Sequence, residues 1–292
     1  MKTYSDIYLA AGKALRGAGV EASNLEARLM AAAATGKTVE EFLRDARLYV
    51  GDDSFEQAMN AMVARRLQGE PVAYITGLWE FHGLPLIITP DVLIPRDDTE
   101  VLAERAIAHA KSAEGNVRML DLCCGSGCIG LAAAAEVPGI RVVMADDSER
   151  ALAIARQNAL KNCLTRSVTC LTADALQAPP MLLGQFDLIV SNPPYVRTEE
   201  LALLDASVRD YEPVAALDGG EDGLTFYRAI ADRWRAVLKP GGALMFECGE
   251  DQSRAVESIL LDNGFTDIET GKDTRGIERV VTGRLQTEEK EG

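Results

Sequence analysis

The sequence predicts an α/β fold in which a mostly parallel sheet, covered by helices on both faces, follows a small N-terminal bundle of helices. Three observations carry this expectation. From residue 118 onward, short apolar runs alternate with segments of helical periodicity, the pattern of repeated βα units. The first of these runs ends in DLCCGSGCIG, a glycine-rich passage from strand to helix. The first seventy or so residues, by contrast, place apolar side chains at helical spacing and carry no strand signal.

Taken in order, YSDIYLAAGKAL, NLEARLMAAAA, VEEFLRDARLYV and FEQAMNAMVARRLQ read as four short helices, the second opening on a possible Asn24 cap. They form an expected substrate-docking domain over 1–72. Beyond Pro71, YITGLWEF and LPLIIT are separated by HG, which suits a β-hairpin linker over 73–95. IPRDDTEVLAERAIAHA should be helical, with Asp97 and Glu100 at capping-box spacing. There follow a strand at VRMLDL, a helix from Cys128, a strand at IRVVMA, a helix over ERALAIARQNA, and strands at VTCLTA and FDLIV. A helix over LTFYRAIADRWRAVL, a stop and turn at KPGG, a strand at ALMFEC, a helix over SRAVESILLDNG and a strand at VVTGR complete a domain over 96–285. The tail at 286–292 is polar enough to be disordered.

Composition excludes several classes. The 292 residues carry 30 Lys and Arg against 45 Asp and Glu, a net charge of −15, which disfavours a partner held by phosphate contacts. MKTYSDIYLAAG lacks the apolar core of a signal peptide, and no stretch approaches membrane-spanning length, so a soluble cytoplasmic protein with no membrane partner is expected. Six cysteines, at 123, 124, 128, 163, 170 and 248, lack zinc spacing and have only His82 and His109 to help them. No metal is expected, and the thiols read as small buried side chains, with a catalytic cysteine as the competing reading.

Gly125, Gly127 and Gly130 match a dinucleotide-type fingerprint, in which glycines let a ligand approach a helix N-terminus. Asp146, about 20 residues further on at a strand end, is placed to accept both hydroxyls of a ribose, and Asp147 competes with it. Asp174 ends the next strand on the same edge and, with Ala175, could line an adenine pocket; an ordinary helix cap is the alternative. SNPPYV, residues 191–196, then stops a buried strand in a rigid turn that fixes Asn192 at the strand end. A planar NH₂ group conjugated to a carbonyl is a poor nucleophile because its lone pair is delocalised. The Asn192 side-chain oxygen and the Pro193 carbonyl are two acceptors for its two N–H groups, and Tyr195 can pack flat on its plane. That arrangement aims a lone pair at an electrophilic methyl group.

GSG after the first strand of the parallel sheet, an acid after the second and NPPY after the fourth resemble class I S-adenosylmethionine-dependent methyltransferases acting on planar amino groups. GEPVAYITGLWEF, LIPRDDTEVL, SNPPYV, LDGGEDGL and GIERVV are similar, over nearly the whole chain, to the HemK/PrmC family, which methylates the glutamine of the GGQ motif in bacterial peptide chain release factors. The resemblance implies a Rossmann-like, seven-stranded, mostly parallel sheet and S-adenosylmethionine as cofactor. It implies cofactor contacts at Cys123, Cys124, Gly125, Ser126, Gly127, Asp146, Asp174, Ala175 and Asn192. It also implies catalytic roles for Asn192, Pro193 and Tyr195, and a glutamine site formed by Asn192, Pro193, Pro194 and Tyr195 and bordered by Arg96, Asp98 and Glu100. The family usually has glycine where Cys123 stands and often an aromatic residue where Ala175 stands, which would leave adenine less covered.

Four other functions compete. A glutamine methyltransferase of ribosomal protein L3 lacks the DTE-type segment, and a DNA or RNA adenine methyltransferase calls for a basic groove that is absent from this sequence. A nicotinamide-dependent oxidoreductase could use the glycine loop but gives NPPY no role, and a protein that binds a partner without turnover would leave Asn192 unused. The expected partner is therefore a release factor, with no nucleic acid, and the protein is expected to be a monomer.

Overall fold

Local signals set the first helices. The computed structural model describes residues 1–286; residues 287–292, most of the expected polar tail, lie outside the described residues. The N-terminal segment forms α1 (Tyr4–Gly17), α2 (Ser23–Thr35), α3 (Val39–Asp45), α4 (Ser54–Leu67) and α5 (Val72–Thr76). Thr3 and Thr38 each begin a helix with a capping box, exchanging hydrogen bonds with Asp6 and Glu41 respectively. Asn24 is not a cap. It lies inside α2, whose start has no side-chain cap, and its Oδ1 accepts from Arg16 at 2.7 Å. The helices bury a core that includes Leu15, Met30, Phe42, Phe55 and Met59. Tyr4 packs edge-on against Phe55, with ring centroids 4.8 Å apart.

The stretch read as wholly extended beyond Pro71 begins instead with α5, closed by Gly77 in the left-handed region. The hairpin follows as β1 (Leu78–Phe81) and β2 (Leu84–Ile87). Its two-residue turn has φ 50° at His82 and 73° at Gly83, both positive as a type I′ turn requires.

The chain then continues as α6 (Thr99–Ser112), β3 (Arg118–Leu122), α7 (Cys128–Glu136), β4 (Arg141–Asp146), α8 (Glu149–Lys161), β5 (Val168–Thr172) and β6 (Phe186–Ser191). After α9 (Ala206–Arg209) come α10 (Thr225–Arg233), β7 (Leu238–Glu247), α11 (Ser253–Asp262), β8 (Phe265–Lys272) and β9 (Glu278–Leu285). Seven strands form one sheet in the order β5-β4-β3-β6-β7-β9-β8, parallel from β5 to β7 and antiparallel at β9 and β8.

Three sequence expectations change here. Asp97 does not cap α6: the N-cap is Asp98, whose carboxylate pairs with Arg275 and Arg279 at 2.9 and 3.3 Å. KPGG does not precede a strand but lies within β7, where the register against β6 shifts between Phe186 and Leu188. The helix over LTFYRAIADRWRAVL ends at Arg233 and tightens to a 3₁₀ turn at Trp234–Val237.

Two compact units are present. One comprises Met1–Leu78, Ile88–Pro90 and Asp205–Tyr211; in it the Tyr211 hydroxyl donates to the Gln68 carbonyl at 2.9 Å. The other comprises Trp79–Ile87, Asp91–Leu204 and the chain from Glu212 onward, and contains the whole seven-stranded sheet. Its core centres on Phe186, Tyr227, Trp234, Phe246 and Phe265. No helix among the described residues is long and apolar enough to cross a membrane.

Candidate active site

β3 and β6 are neighbours in the sheet although β4 and β5 lie between them in sequence, so the loops that leave their carboxyl ends diverge. Ligands of doubly wound sheets bind in the crevice that such a switch point opens. Here Cys123, Cys124, Gly125 and Ser126 line a cleft from the β3 end, and Asp146 and Asp147 from the β4 end. Ala173, Asp174 and Ala175 reach it from β5, and Asn192 and Pro194 from β6.

The glycine loop is held by side chains beneath it. Gly130 N donates to Asp121 Oδ2 at 2.8 Å, and a Cβ at Gly130 would stand 2.9 Å from that oxygen. A Cβ at Gly127 would come within 2.8 Å of Met144 Sδ, so Gly127 serves close packing rather than the cleft. Gly125 differs: a Cβ there meets nothing within 4 Å, and its N–H donates to Asp146 Oδ2 at 2.9 Å. Asn158, fully buried on α8, donates to the Ser126 and Ile87 carbonyls and accepts from Ile87 N, tying loop to hairpin.

Cys123, where the resemblance leads one to expect glycine, has φ 61° and is thus a non-glycine residue in the left-handed region. Burial pushes the thiols of Cys123 and Cys124 well above their ordinary range, with Asp146 adding to the effect at both, so neither is a thiolate nucleophile at neutral pH. No group of three or more His, Cys, Asp or Glu among the described residues is arranged to hold a metal ion.

Asp146 accepts from Gly125 N through Oδ2 and from Ser148 N through Oδ1 at 3.0 Å; a second lone pair on each oxygen is available to a ligand. Its pKa is raised, chiefly by burial. Asp147 is exposed at the same rim. Asp174 both lines the cleft and caps its own turn, accepting from Leu176 N at 2.7 Å. The position after it is fixed by Trp234, whose indole N–H donates to the Ala175 carbonyl at 3.0 Å. Phe226 of α10 lines the same cleft, so an aromatic residue is supplied by another element.

Asp121 is fully buried, and burial raises its carboxyl to about 7. The folded state holds that proton more tightly than the unfolded chain, so the stability Asp121 contributes is complete below the ordinary carboxylate range and is lost as pH rises through about 7. Between pH 6 and 8.5 thermal unfolding should therefore shift downward, and Asp121→Asn should make the shift smaller by about 2–4 °C. An identical pH dependence in the variant would contradict the assignment.

The NPPY turn is built into the sheet end. Ser191 Oγ donates to the Leu122 carbonyl at 2.6 Å, joining the ends of β6 and β3. Asn192 Nδ2 donates to Thr99 Oγ1 at 3.3 Å, and Thr99 also lines the cleft. The Tyr195 carbonyl accepts from Gln252 Nε2 at 2.9 Å. Pro193 is buried and Tyr195 half-buried; neither is among the residues lining the cleft. Arg96 and Glu100 also lie outside its lining. Arg96 pairs at 2.5 Å with the buried carboxylate of Glu212, and Glu100 Oε1 accepts from His82 N at 2.9 Å. Sequence reasoning missed the roles of Thr99, Asp121, Asn158, Phe226 and Glu247; Thr99 lies inside the DTE of LIPRDDTEVL and Asp121 opens DLCCGSGCIG, while the other three stand in ordinary helix and strand segments.

The methyltransferase small domain family matches residues 98–209, and the PrmC N-terminal domain family matches residues 6–77. The release factor glutamine methyltransferase of Geobacter sulfurreducens is 42% identical over 275 residues, covering 91% of each chain. That of Agrobacterium fabrum is 40% identical over 285 residues, covering 97% of each. Among solved structures, a methyltransferase from Pyrococcus furiosus aligns with 76% of this chain and 97% of its own at a TM-score of 0.51 and 17% identity, a likeness of fold alone.

Proposed function

The chain belongs to the release factor glutamine methyltransferase family, and on that premise we propose that it methylates the side-chain amide nitrogen of the GGQ glutamine in bacterial peptide chain release factors. It is an S-adenosylmethionine-dependent protein-glutamine N5-methyltransferase. A cytoplasmic monomer acting on a folded protein, without binding nucleic acid, completes the proposal, and a net charge of −15 supports that choice of partner.

The cleft fits the cofactor: Gly125 leaves open space beside the loop, and Asp146 has acceptor capacity for two ribose hydroxyls. Ala175 and Phe226 offer apolar cover for the adenine, with Cys123, Cys124, Ser126 and Asp174 around it. Bound S-adenosylmethionine supplies an electrophilic methyl group. Asp146→Ala should weaken its binding by about 1–2 kcal/mol, the value of hydrogen bonds to a charged acceptor, read by calorimetry. Unchanged affinity would transfer the ribose role to Asp147.

The observation that best supports the reaction is Asn192, in the same cleft as the glycine loop, with its NH₂ engaged by Thr99. Its Oδ1 and the Pro193 carbonyl then accept the two N–H groups of the substrate amide, while Tyr195 packs on the amide plane and Pro194 walls the site. Held so, the nitrogen recovers lone-pair density. The N–C bond would form as the bond from the methyl carbon to the cofactor sulfur breaks and the sulfur leaves as a neutral thioether; the nitrogen then carries the positive charge and its proton is acidic, so the proton leaves to solvent and no strong base is needed. Arg96, whose charge acts on the Tyr195 hydroxyl, and Glu100 border this site as framing residues.

The test is transfer of a labelled methyl group to purified release factor, with ribosomal protein L3 and DNA in parallel, followed by peptide mass mapping. Label confined to the GGQ glutamine is expected. Label on L3 or adenine alone overturns the substrate, and no label anywhere overturns the activity.

A further inference from the structure

Glu247 ends β7, the strand beside β6, and is 2% exposed. Its Oε2 is buried without a hydrogen-bond partner. A buried carboxyl of this kind costs stability that an apolar side chain of the same size would not. Its neighbours suggest what the cost maintains. The register of Ser191 against Phe246 sets Asn192 and Glu247 at adjacent strand ends, and the Thr99 hydroxyl and the Asn192 side chain both favour the charged form of the carboxyl.

Direction matters in that chain of bonds. Thr99 has one hydroxyl hydrogen, and its oxygen accepts from Asn192 Nδ2. The hydrogen is therefore free for an ionised Glu247, and both bonds run toward the carboxylate. This order presents the amide nitrogen of Asn192 to Thr99 and its oxygen to the cleft. We propose that Glu247, acting through Thr99, is a positioning residue that sets which end of the Asn192 amide faces the substrate. The proposal rests on the reading of Asn192 as an acceptor for the substrate amide.

A neutral Glu247 reverses the order. Its own O–H can donate to Thr99, whose hydrogen then turns toward Asn192 and draws Oδ1 away from the cleft. Burial raises the Glu247 carboxyl to about 7, partly offset by Thr99 and by Arg279 of β9. Arg279 is shared with Asp98 and Asp273 at 3.3 and 3.2 Å, so its charge is not Glu247's alone. The other groups facing the carboxyl are Asp98 at the start of α6, Cys128 of α7, Tyr195 after β6, Tyr227 of α10 and Cys248 after β7. Burial holds the thiols and phenols among them protonated across the neutral range. Glu247 is thus the group of this set that changes charge near pH 7.

The full chain, labelled with ¹⁵N-asparagine, tests this. The Asn192 side-chain amide, identified by its loss in Asn192→Asp, should titrate with a midpoint near pH 7 and cease to do so in Glu247→Gln and Thr99→Val. In parallel, methylation of release factor by the wild-type protein should slow as pH falls through the same midpoint. Thr99→Val should flatten that profile and lower kcat by about tenfold, roughly one hydrogen bond, with KM for release factor and the Kd for S-adenosylmethionine unchanged within about twofold. An Asn192 resonance that does not titrate, or titrates alike in Glu247→Gln, overturns the relay, as does a pH limb preserved in Thr99→Val. A resonance that behaves as expected in a protein that leaves release factor unmethylated upholds the relay and overturns the substrate instead.

Discussion

Asn192→Ala is expected to reduce methyl transfer by about 10³-fold while changing the Kd for S-adenosylmethionine by less than about threefold, the range seen when one preorganised polar group is removed from a developing charge. The asymmetry follows from where its two ends point. Nδ2 is engaged by Thr99, a cleft residue on α6, and Oδ1 is left as the acceptor. On the proposed assignment the cofactor would keep Asp146, the glycine loop and the apolar wall of Ala175 and Phe226 in this variant, all of which line the cleft. The substrate amide loses one of two acceptors, and its nitrogen returns to the planar, delocalised state. Single-turnover rates at saturating cofactor, set beside calorimetric affinity, separate the two effects. A rate within tenfold of wild type would remove Asn192 from the chemistry, and a parallel loss of cofactor affinity would make it a binding residue.

Much of this site is legible in the sequence because its motifs are local. A glycine loop, an acid at the next strand end and NPPY each declare a backbone shape over a few residues, and the parallel sheet brings their strand ends to one edge. β3, β4 and β6 are equally legible, being short apolar runs largely buried on both faces, and β5, at the sheet edge, is legible from its β-branched run VTCLT. β8 escapes such reading for a physical reason. It is the last strand of the sheet, half of FTDIETGK is exposed, and its register against β9 breaks between Thr266 and Glu269 around Asp267 at φ 49°. The bulge destroys the period of two on which strand reading depends. Thr99, Asn158, Phe226 and Glu247 escape it differently. Each stands in an ordinary helix or strand pattern and acquires its role only by meeting a residue distant in sequence, as Thr99 meets Asn192. Asn24 and Asp97 show the reverse error: polar residues near a helix start look like caps, but tertiary partners, Arg16 for the one and the ion pairs of adjacent Asp98 for the other, decide how the chain begins its helix.

The LDGGEDGL segment should prove the most sensitive backbone in the sheet unit, because its glycines lie against the NPPY turn. Gly223 has φ 72°, and a Cβ there would stand 2.5 Å from the Tyr195 carbonyl oxygen and 2.6 Å from Gln252 Nε2. Those two atoms bond to each other, and Gln252 also accepts from Gly249 N and donates to the Gly223 carbonyl, so nothing at this junction can yield cheaply. Gly223→Ala should cost about 3 kcal/mol or more, combining left-handed strain with overpacking. Gly36→Ala is the internal control: φ is 67° there but a Cβ meets nothing within 4 Å, so strain alone remains, about 1–2 kcal/mol. Urea unfolding followed by tryptophan fluorescence reads the sheet unit specifically, since both tryptophans, Trp79 and Trp234, belong to it, while far-ultraviolet dichroism follows the helices for the control. Gly219→Ala separates shape from stability. Its φ is ordinary, yet a Cβ would lie 2.7 Å from Tyr195 Cα and 2.8 Å from the Pro194 carbonyl, so relief requires the turn itself to move. Its kcat should fall by more than about 10²-fold, the price of a misplacement near 1 Å, even where the protein stays folded. If both variants unfold like wild type and turn over normally, the motif is a loop that happens to lie near the site; if Gly219→Ala is folded and inactive, LDGGEDGL is the brace that holds Asn192 in register with the cofactor cleft.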